Sequence, residues 1–168
     1  VIVGNPPYQL SSAGTSDEPI YQLFVDKAKQ LEPRFISMVT PSRWFTGGKG
    51  LDAFRSEMIQ DRRLRALCDF PDSKNSFPGV EIKGGTSFFL WERDNPGDCS
   101  FKTFAKGQLL SESTRDLRLG KGVVIRDNKA SSIIEKVLAK DYPRLSDTVS
   151  PQTPFGIYTN FAEWKKAP

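Results

Sequence analysis

The segment Val1–Gln9, "VIVGNPPYQ", contains a change from an apolar run to a proline-rich loop. An apolar run ends at a glycine and is followed by Asn5, two prolines and Tyr8. Prolines remove backbone donors and fix φ, so no regular element continues through the pair. The residue before a proline is held in extended geometry, so the Asn5 amide projects from the strand end. The segment therefore predicts the end of a buried strand that presents a rigid amide and an aromatic ring.

The composition limits the chemistry that the chain can perform. The 168 residues are 38% hydrophobic and 26% charged, which suits one soluble domain, alone or with an appendage. The absence of histidine excludes a Ser/His/Asp triad and a His-ligated zinc, and no metal site is expected. Cys68 and Cys99 lack metal-ligand spacing, so a reducing cytoplasm is expected. The apolar runs fall short of the roughly 18 residues of a membrane span, so no membrane partner is expected.

Strand and helix patterns alternate after the first segment. Helical spacing of Ile20, Leu23, Phe24, Ala28 and Leu31 predicts a helix that ends at Pro33, and Leu51 to Gln60 predicts a second one. Strands are predicted at "RFISMVTP", "LRALCDF" and "TSFFLWER". The order predicts a doubly wound α/β sheet that ends in an antiparallel hairpin at its edge. Ligands bind such sheets at the carboxyl ends of strands, where Asn5 to Tyr8 lie.

The character of the chain changes after Asp94, which predicts a division into residues 1–94 and 99–168. Short strands are predicted at "SFKTF" and "GVVIR", and an amphipathic helix at Asn128–Lys140, in a small mixed α/β segment. Residues 1–98 have a net charge of −1 and residues 99–168 one of +5. The basic part indicates either a polyanion partner or a solvated surface. The segment "SPQTPFGIYTNF" shows no period.

The stretch "GNPPY" after a strand resembles the (N/D/S)PP(Y/F) motif of amino-group methyltransferases that use S-adenosylmethionine. Its asparagine resembles that of the N6-adenine DNA methyltransferases. The segments "PIYQLFVDKA", "FISMVTPSRWF" and "FPGVEIKGGTSFFLWER" follow in the order of the catalytic-half motifs of restriction–modification adenine methylases, in the subgroup where methylase and endonuclease are often fused. The resemblance covers Val1 to about Arg93. It implies the distal half of a Rossmann-like class I methyltransferase sheet, followed by a linker and the start of a target-recognition region.

The resemblance also implies roles for individual residues. The Asn5 side-chain oxygen and the Pro6 carbonyl would accept the hydrogens of the exocyclic amine, and Tyr8 would stack on an adenine extruded from double-stranded DNA. Pro7 would help to keep this substrate-binding loop rigid. Phe77, in "NSFPGVEI", would supply a second ring against the base. The segment "PGVEIKGG" is longer and richer in glycine than in the simplest members, which affects the register of Phe77.

The cofactor-binding motifs of the family have no counterpart here. A glycine-containing loop and an acidic residue normally precede the NPPY strand, and neither is in the sequence. The chain also starts inside a strand without a methionine. We therefore expect a fragment that is inactive alone and that has the upstream half of its parent protein as a partner, with S-adenosylmethionine bound mainly by that half.

Two other functions fit the same residues. Methyltransferases of protein glutamine and of ribosomal-RNA guanine use the same acceptor pair, although they generally end soon after the final hairpin. The third possibility is a protein that is not an enzyme: a non-catalytic DNA-binding module.

Four other features are weaker candidates for function. The stretch "FTGGKG" lacks the P-loop pattern, and we interpret it as a mobile loop. The cluster Arg62, Arg63 and Arg65 has two interpretations: it contacts phosphate, or it is the solvent-exposed end of a helix. Trp44 is expected in the core, and Asp69 at a strand end has no evident partner.

Overall fold

The computed structural model describes residues 1–10, 18–140, 142–143, 145 and 148–149. The chain divides into two compact units, Val1–Glu135 and Lys136–Pro168. No helix among the described residues is long and apolar enough to cross a membrane. The strands and α-helices, in chain order, are β1 (Ile2–Gly4), β2 (Gln9–Leu10), β3 (Glu18–Pro19), α1 (Tyr21–Gln30), β4 (Phe35–Pro41), α2 (Asp52–Gln60), β5 (Leu64–Phe70), β6 (Thr86–Glu92), β7 (Cys99–Ala105), β8 (Gln108–Arg115) and α3 (Asn128–Leu138).

A six-stranded mixed sheet organises the first unit, in the order β1-β4-β6-β5-β7-β8. Strand β1 is parallel to β4, and β5 is parallel to β7. Strand β6 runs antiparallel to β4 and β5 and lies between them. The predicted α/β class and the antiparallel pairing of β5 with β6 are confirmed. The predicted position of this pair at the sheet edge is wrong, because β6 is hydrogen-bonded on both sides and β5 pairs onward with β7.

Helix α1 buries only part of the apolar set from which it was predicted. The buried residues are Tyr21, Val25 and Ala28, whereas Leu23 is 60% exposed. Phe24 and Leu31, which belong to the predicted stripe, are exposed as well. Both sets of residues have helical spacing, so periodicity alone did not select the face that meets the sheet. Helix α2, in contrast, buries its apolar residues Phe54, Met58 and Ile59.

Strand β1 lies at an edge of the sheet and is less buried than predicted. Val1 and Val3 are 82% and 75% exposed, while Ile2 packs against the hydrophobic core. An apolar strand of this kind is typical of a sheet interior, but within the described residues only β4 pairs with it. The buried strand predicted at this position therefore appears as an edge strand.

The basic part of the chain continues the same sheet. The strand predicted at "SFKTF" is confirmed within β7, and the predicted helix is confirmed as α3. Strand β8 was not predicted, and "GVVIR" forms no strand; Val124 there is buried and donates its N–H to the Phe45 carbonyl at 2.9 Å. The predicted division between residues 1–94 and 99–168 does not coincide with a break in the sheet, because β7 pairs with β5. The segment "SPQTPFGIYTNF" lies outside the described residues.

A fully buried carboxylate joins the carboxyl ends of the strands. Asp69, in β5, accepts a hydrogen bond from Ser42 Oγ at 3.0 Å. Two guanidinium nitrogens of Arg126 donate to it at 2.8 and 2.7 Å. The expectation that Asp69 has no partner is wrong. Sequence patterns missed Ser42 and Arg126 because both are distant from Asp69 along the chain. The Arg126 guanidinium also lies 5.4 Å from the centre of the Phe45 ring.

We predict that Arg126→Gln destabilises the protein more than Arg118→Gln does. The first change leaves a buried carboxylate with Ser42 as its remaining side-chain donor, which costs about 1–3 kcal/mol or more. Arg118 forms an exposed ion pair with Asp116, so its loss should cost less than about 1 kcal/mol. Urea unfolding of both variants measures the difference. Equal midpoints for the two variants would contradict the prediction.

Candidate functional site

A cavity of about 710 Å³ opens at the carboxyl ends of β1 and β4. Small-molecule sites in proteins commonly have volumes of about 300–1,000 Å³. Four segments form its walls: the loop Asn5–Gln9, the start of α1, the turn after β4 and the loop before β6. The lining residues outside the first loop are Pro19, Tyr21, Pro41, Arg43, Lys49, Val80, Glu81, Ile82 and Lys83.

The loop Asn5–Tyr8 forms one wall of this cavity, so four of the five residues singled out from the sequence are brought together. Pro6 is buried, whereas Asn5 is exposed. The Tyr8 carbonyl accepts a hydrogen bond from the Ile20 N–H at 3.1 Å, which fastens the loop to the start of α1. Burial raises the pKa of Tyr8, and its buried hydroxyl has no hydrogen-bond partner. The Tyr8 ring is therefore neutral at ordinary pH.

The facing wall is the segment Val80–Lys83, which a buried hydroxyl holds in place. Ser73 Oγ donates to the Val80 carbonyl at 3.0 Å and accepts from the Ile82 N–H at 2.8 Å. Phe77 does not line the cavity: it is half-buried, and its N–H donates to the Ser73 carbonyl at 2.7 Å. The structure thus brings Val80 and Ile82 to the wall for which Phe77 was predicted, and the role of Phe77 stays a prediction.

The cavity also contains polar groups to which the sequence analysis gave no role. Tyr21 is 2% exposed, and its hydroxyl has no hydrogen-bond partner. Burial raises the pKa of Tyr21. The positive charge of Arg43 and the Trp44 backbone amide, which lies near the hydroxyl but outside hydrogen-bond geometry, lower the pKa by less. Arg43 Nε is buried and likewise lacks a partner. The signal for Arg43 was its place directly after a strand in "PSRWF", at the edge where ligands bind such sheets.

The weaker candidates lie elsewhere, with one exception. Arg62 pairs with Asp98 at 3.0 Å, Arg63 pairs with Asp61 at 2.7 Å, and neither lines the cavity. Lys49 of "FTGGKG" does line it. A further cluster residue, Arg65, donates to the backbone carbonyl of Asp98, and Trp44 is fully buried in the core as predicted. Among the residues that the structure describes, no group of three or more His, Cys, Asp or Glu could hold a metal ion.

Known proteins resemble this chain in sequence and in fold. Residues 1–77 match the family described as Eco57I restriction-modification methylase. An uncharacterized adenine-specific methylase of Mycoplasma pneumoniae is 32% identical over 159 residues, which cover 89% of this chain and 37% of that protein. A modification subunit of a putative type I restriction enzyme from Vibrio vulnificus has a TM-score of 0.47 at 12% identity, over 84% of this chain and 31% of that one. A type I restriction-modification methyltransferase subunit from Streptococcus thermophilus has a TM-score of 0.42 at 15% identity. That match covers 82% of this chain and 30% of the subunit.

The mixed sheet, with the loop at the carboxyl end of β1, is consistent with the predicted partial Rossmann-like methyltransferase fold. The match of residues 1–77 to the Eco57I restriction-modification methylase family agrees with this fold. The resemblance stated from the motifs is thereby confirmed. The chain spans about 37% of the length of the curated relative that it matches.

We predict that Gly85→Ala destabilises the protein more than Gly79→Ala does. Both glycines have a φ of +83°, so an alanine is strained at either position. A Cβ at Gly85 would also lie 2.1 Å from the Phe70 carbonyl oxygen, whereas at Gly79 it meets no atom within 4 Å. The Gly85 carbonyl accepts from the Ser42 N–H at 2.9 Å, so the clash also displaces the loop from the turn after β4. Thermal unfolding compares the two variants, and equal losses would show that backbone strain alone decides.

Proposed function

We propose that this chain supplies the adenine-binding and amine-activating part of an S-adenosylmethionine-dependent DNA adenine methyltransferase. The observation that supports it is the loop Asn5–Tyr8, which follows a parallel strand and forms one wall of a large cavity. The family of residues 1–77 and the adenine-specific methylase named above favour adenine over protein glutamine or RNA guanine. The proposed parent protein belongs to a restriction–modification system.

The chemistry follows from the electronic structure of the substrate. The lone pair of an exocyclic amine is delocalised into the purine ring, so the nitrogen is a poor nucleophile. The Asn5 side-chain oxygen and the Pro6 carbonyl accept its two hydrogens and localise the lone pair on nitrogen. The two prolines keep these acceptors in place, so little reorganisation precedes the reaction. No imidazole is needed, because the proton can leave after the methyl group has been transferred.

S-adenosylmethionine supplies the methyl group when it is bound. Asn5 would lie beside the methyl end of the cofactor, and the glycine loop with which the family holds the rest of it has no counterpart in the sequence. We propose that a preceding part of the parent protein binds it and adds strands beside β1. The position of β1 at the end of the described sheet supports added strands, and the exposed side chains of Val1 and Val3 support cover over the adjoining face.

Double-stranded DNA is the proposed partner, with the target adenine rotated into the cavity. Tyr8 lines the cavity, and in this proposal its ring stacks on that base. Phe77 belongs to the facing loop, so a rearrangement of this loop around the base would be needed to bring its ring into contact. The net charge of +5 over residues 99–168 supports contacts to the phosphate backbone and a role in target recognition.

Asn5→Ala should abolish methyl transfer by the parent protein while leaving DNA binding largely intact. Loss of one preorganised polar group should cost about 2.7–4 kcal/mol of transition-state stabilisation, by analogy with oxyanion-hole donors. Methylation is followed with radiolabelled cofactor and DNA binding by fluorescence anisotropy. Asn95→Ala is the matched control, because Asn95 does not line the cavity and bonds to Glu92 at 2.9 Å. More than about a tenth of the wild-type rate in Asn5→Ala would contradict the assignment, since that is a loss below about 1.4 kcal/mol.

Tyr8→Ala and Phe77→Ala should each weaken capture of the extruded base more than they weaken binding to the duplex. Stacking contributes about 1–3 kcal/mol for each base contact, and phosphate contacts made elsewhere are unchanged. The readout is the fluorescence of 2-aminopurine at the target position, which rises when the base leaves the stack. Loss of the rise in Tyr8→Ala but not in Phe77→Ala would assign the second wall to Val80 and Ile82. A full rise in both variants would overturn the stacking roles.

A further inference from the structure

Three of the buried polar atoms that lack hydrogen-bond partners, among the residues the structure describes, belong to side chains around one cavity. They are the hydroxyls of Tyr8 and Tyr21 and Nε of Arg43. Burying a polar group without a partner costs about 1–3 kcal/mol, and such groups are rare in folded proteins. Their concentration at this cavity indicates that a ligand provides their partners.

The chemistry of these atoms favours an anion. Arg43 Nε is a cationic donor, and the Tyr21 hydroxyl stays protonated at ordinary pH and can donate a hydrogen bond. Lys49 and Lys83 bring two further positive charges to the cavity lining, and Glu81 is the acidic residue among the lining side chains. Guanidinium groups are especially suited to phosphate, because they present several N–H donors in one plane.

The position of this group relative to the NPPY loop indicates which anion it binds. Arg43 follows β4, and Asn5 follows β1, which pairs with β4 in parallel, so both residues lie at the same sheet edge and line the same cavity. A nucleotide whose base is held by Asn5 and Tyr8 carries its phosphates next to that base.

We propose that Arg43 and Tyr21 form an anion subsite that binds a backbone phosphate flanking the extruded adenine. The inference rests on the function proposed above and extends it, because it gives the cavity a second recognition element besides the base. Arg43 touches the substrate in this arrangement, and Tyr21 fixes the phosphate from the floor of the cavity.

The test replaces single phosphates of the DNA by neutral methylphosphonates in binding assays with the full-length parent protein. On unmodified duplex, Arg43→Gln should weaken binding about tenfold and Tyr21→Phe by a few fold. A methylphosphonate beside the target adenine should weaken wild-type binding about tenfold but cause no further loss in Arg43→Gln. Lys27→Gln is the control, because Lys27 is exposed and does not line the cavity, and it should respond to the methylphosphonate as the wild type does.

The possible outcomes separate this inference from the function on which it rests. The methylphosphonate could instead weaken DNA binding by the same factor in the wild type and in Arg43→Gln, at each phosphate that flanks the adenine. That result would overturn the subsite. Weaker binding of S-adenosylmethionine to Arg43→Gln without DNA would assign the residue to the cofactor carboxylate and also overturn it. Arg43→Lys keeps the charge but not the planar donors, so partial recovery supports a bidentate contact. Failure of the proposed function would appear separately, as full methylation by Asn5→Ala.

Discussion

The insertion of β6 between β4 and β5 sets the direction of the neighbouring strands and therefore the edge of the sheet at which their carboxyl ends lie. Strand β6 is antiparallel to both neighbours, so β4 and β5 run in the same direction without being adjacent. Strand β1 is parallel to β4. The carboxyl ends of all three strands therefore meet at one sheet edge, and Asn5, Arg43 and Asp69 lie at or near this edge.

Buried polar contacts then fix the loops that leave this edge. Asp69 holds the turn after β4 through Ser42 and the segment before α3 through Arg126. Ser73 holds the facing loop through the Val80 carbonyl and the Ile82 amide. These contacts within the chain hold the cavity walls in place, which reduces the ordering cost of binding a ligand. The same contacts explain why the Asp69 carboxylate is structural although it lies near the site.

Sequence patterns predicted most individual strands and helices, but not how these elements pair and pack against one another. Strand β5 and helices α1 and α2 follow from periodicity, and the NPPY loop follows from proline geometry. The spacing that predicted α1 does not identify its buried face, because two apolar stripes fit the same helix and Tyr21 and Val25 are the residues buried against the sheet. Strand β8 was missed since its alternating polar residues carry little apolar signal, and "GVVIR" was assigned to a strand although Val124 is buried in an irregular segment.

The motif, a strand followed by a rigid Asn-Pro-Pro-Tyr loop, can be read from the residues alone, because proline restricts the backbone wherever it occurs. The order of the elements from β1 to β6 can largely be read in the same way. Which side chains share the cavity with that loop depends on the packing of segments that are distant in sequence. Tyr21, Arg43 and Val80–Lys83 come from three segments that meet through strand pairing and loop contacts. Phe77 is adjacent to one of them in sequence but lies outside the cavity lining, since the turn from Ser73 to Ile82 directs other residues to the wall.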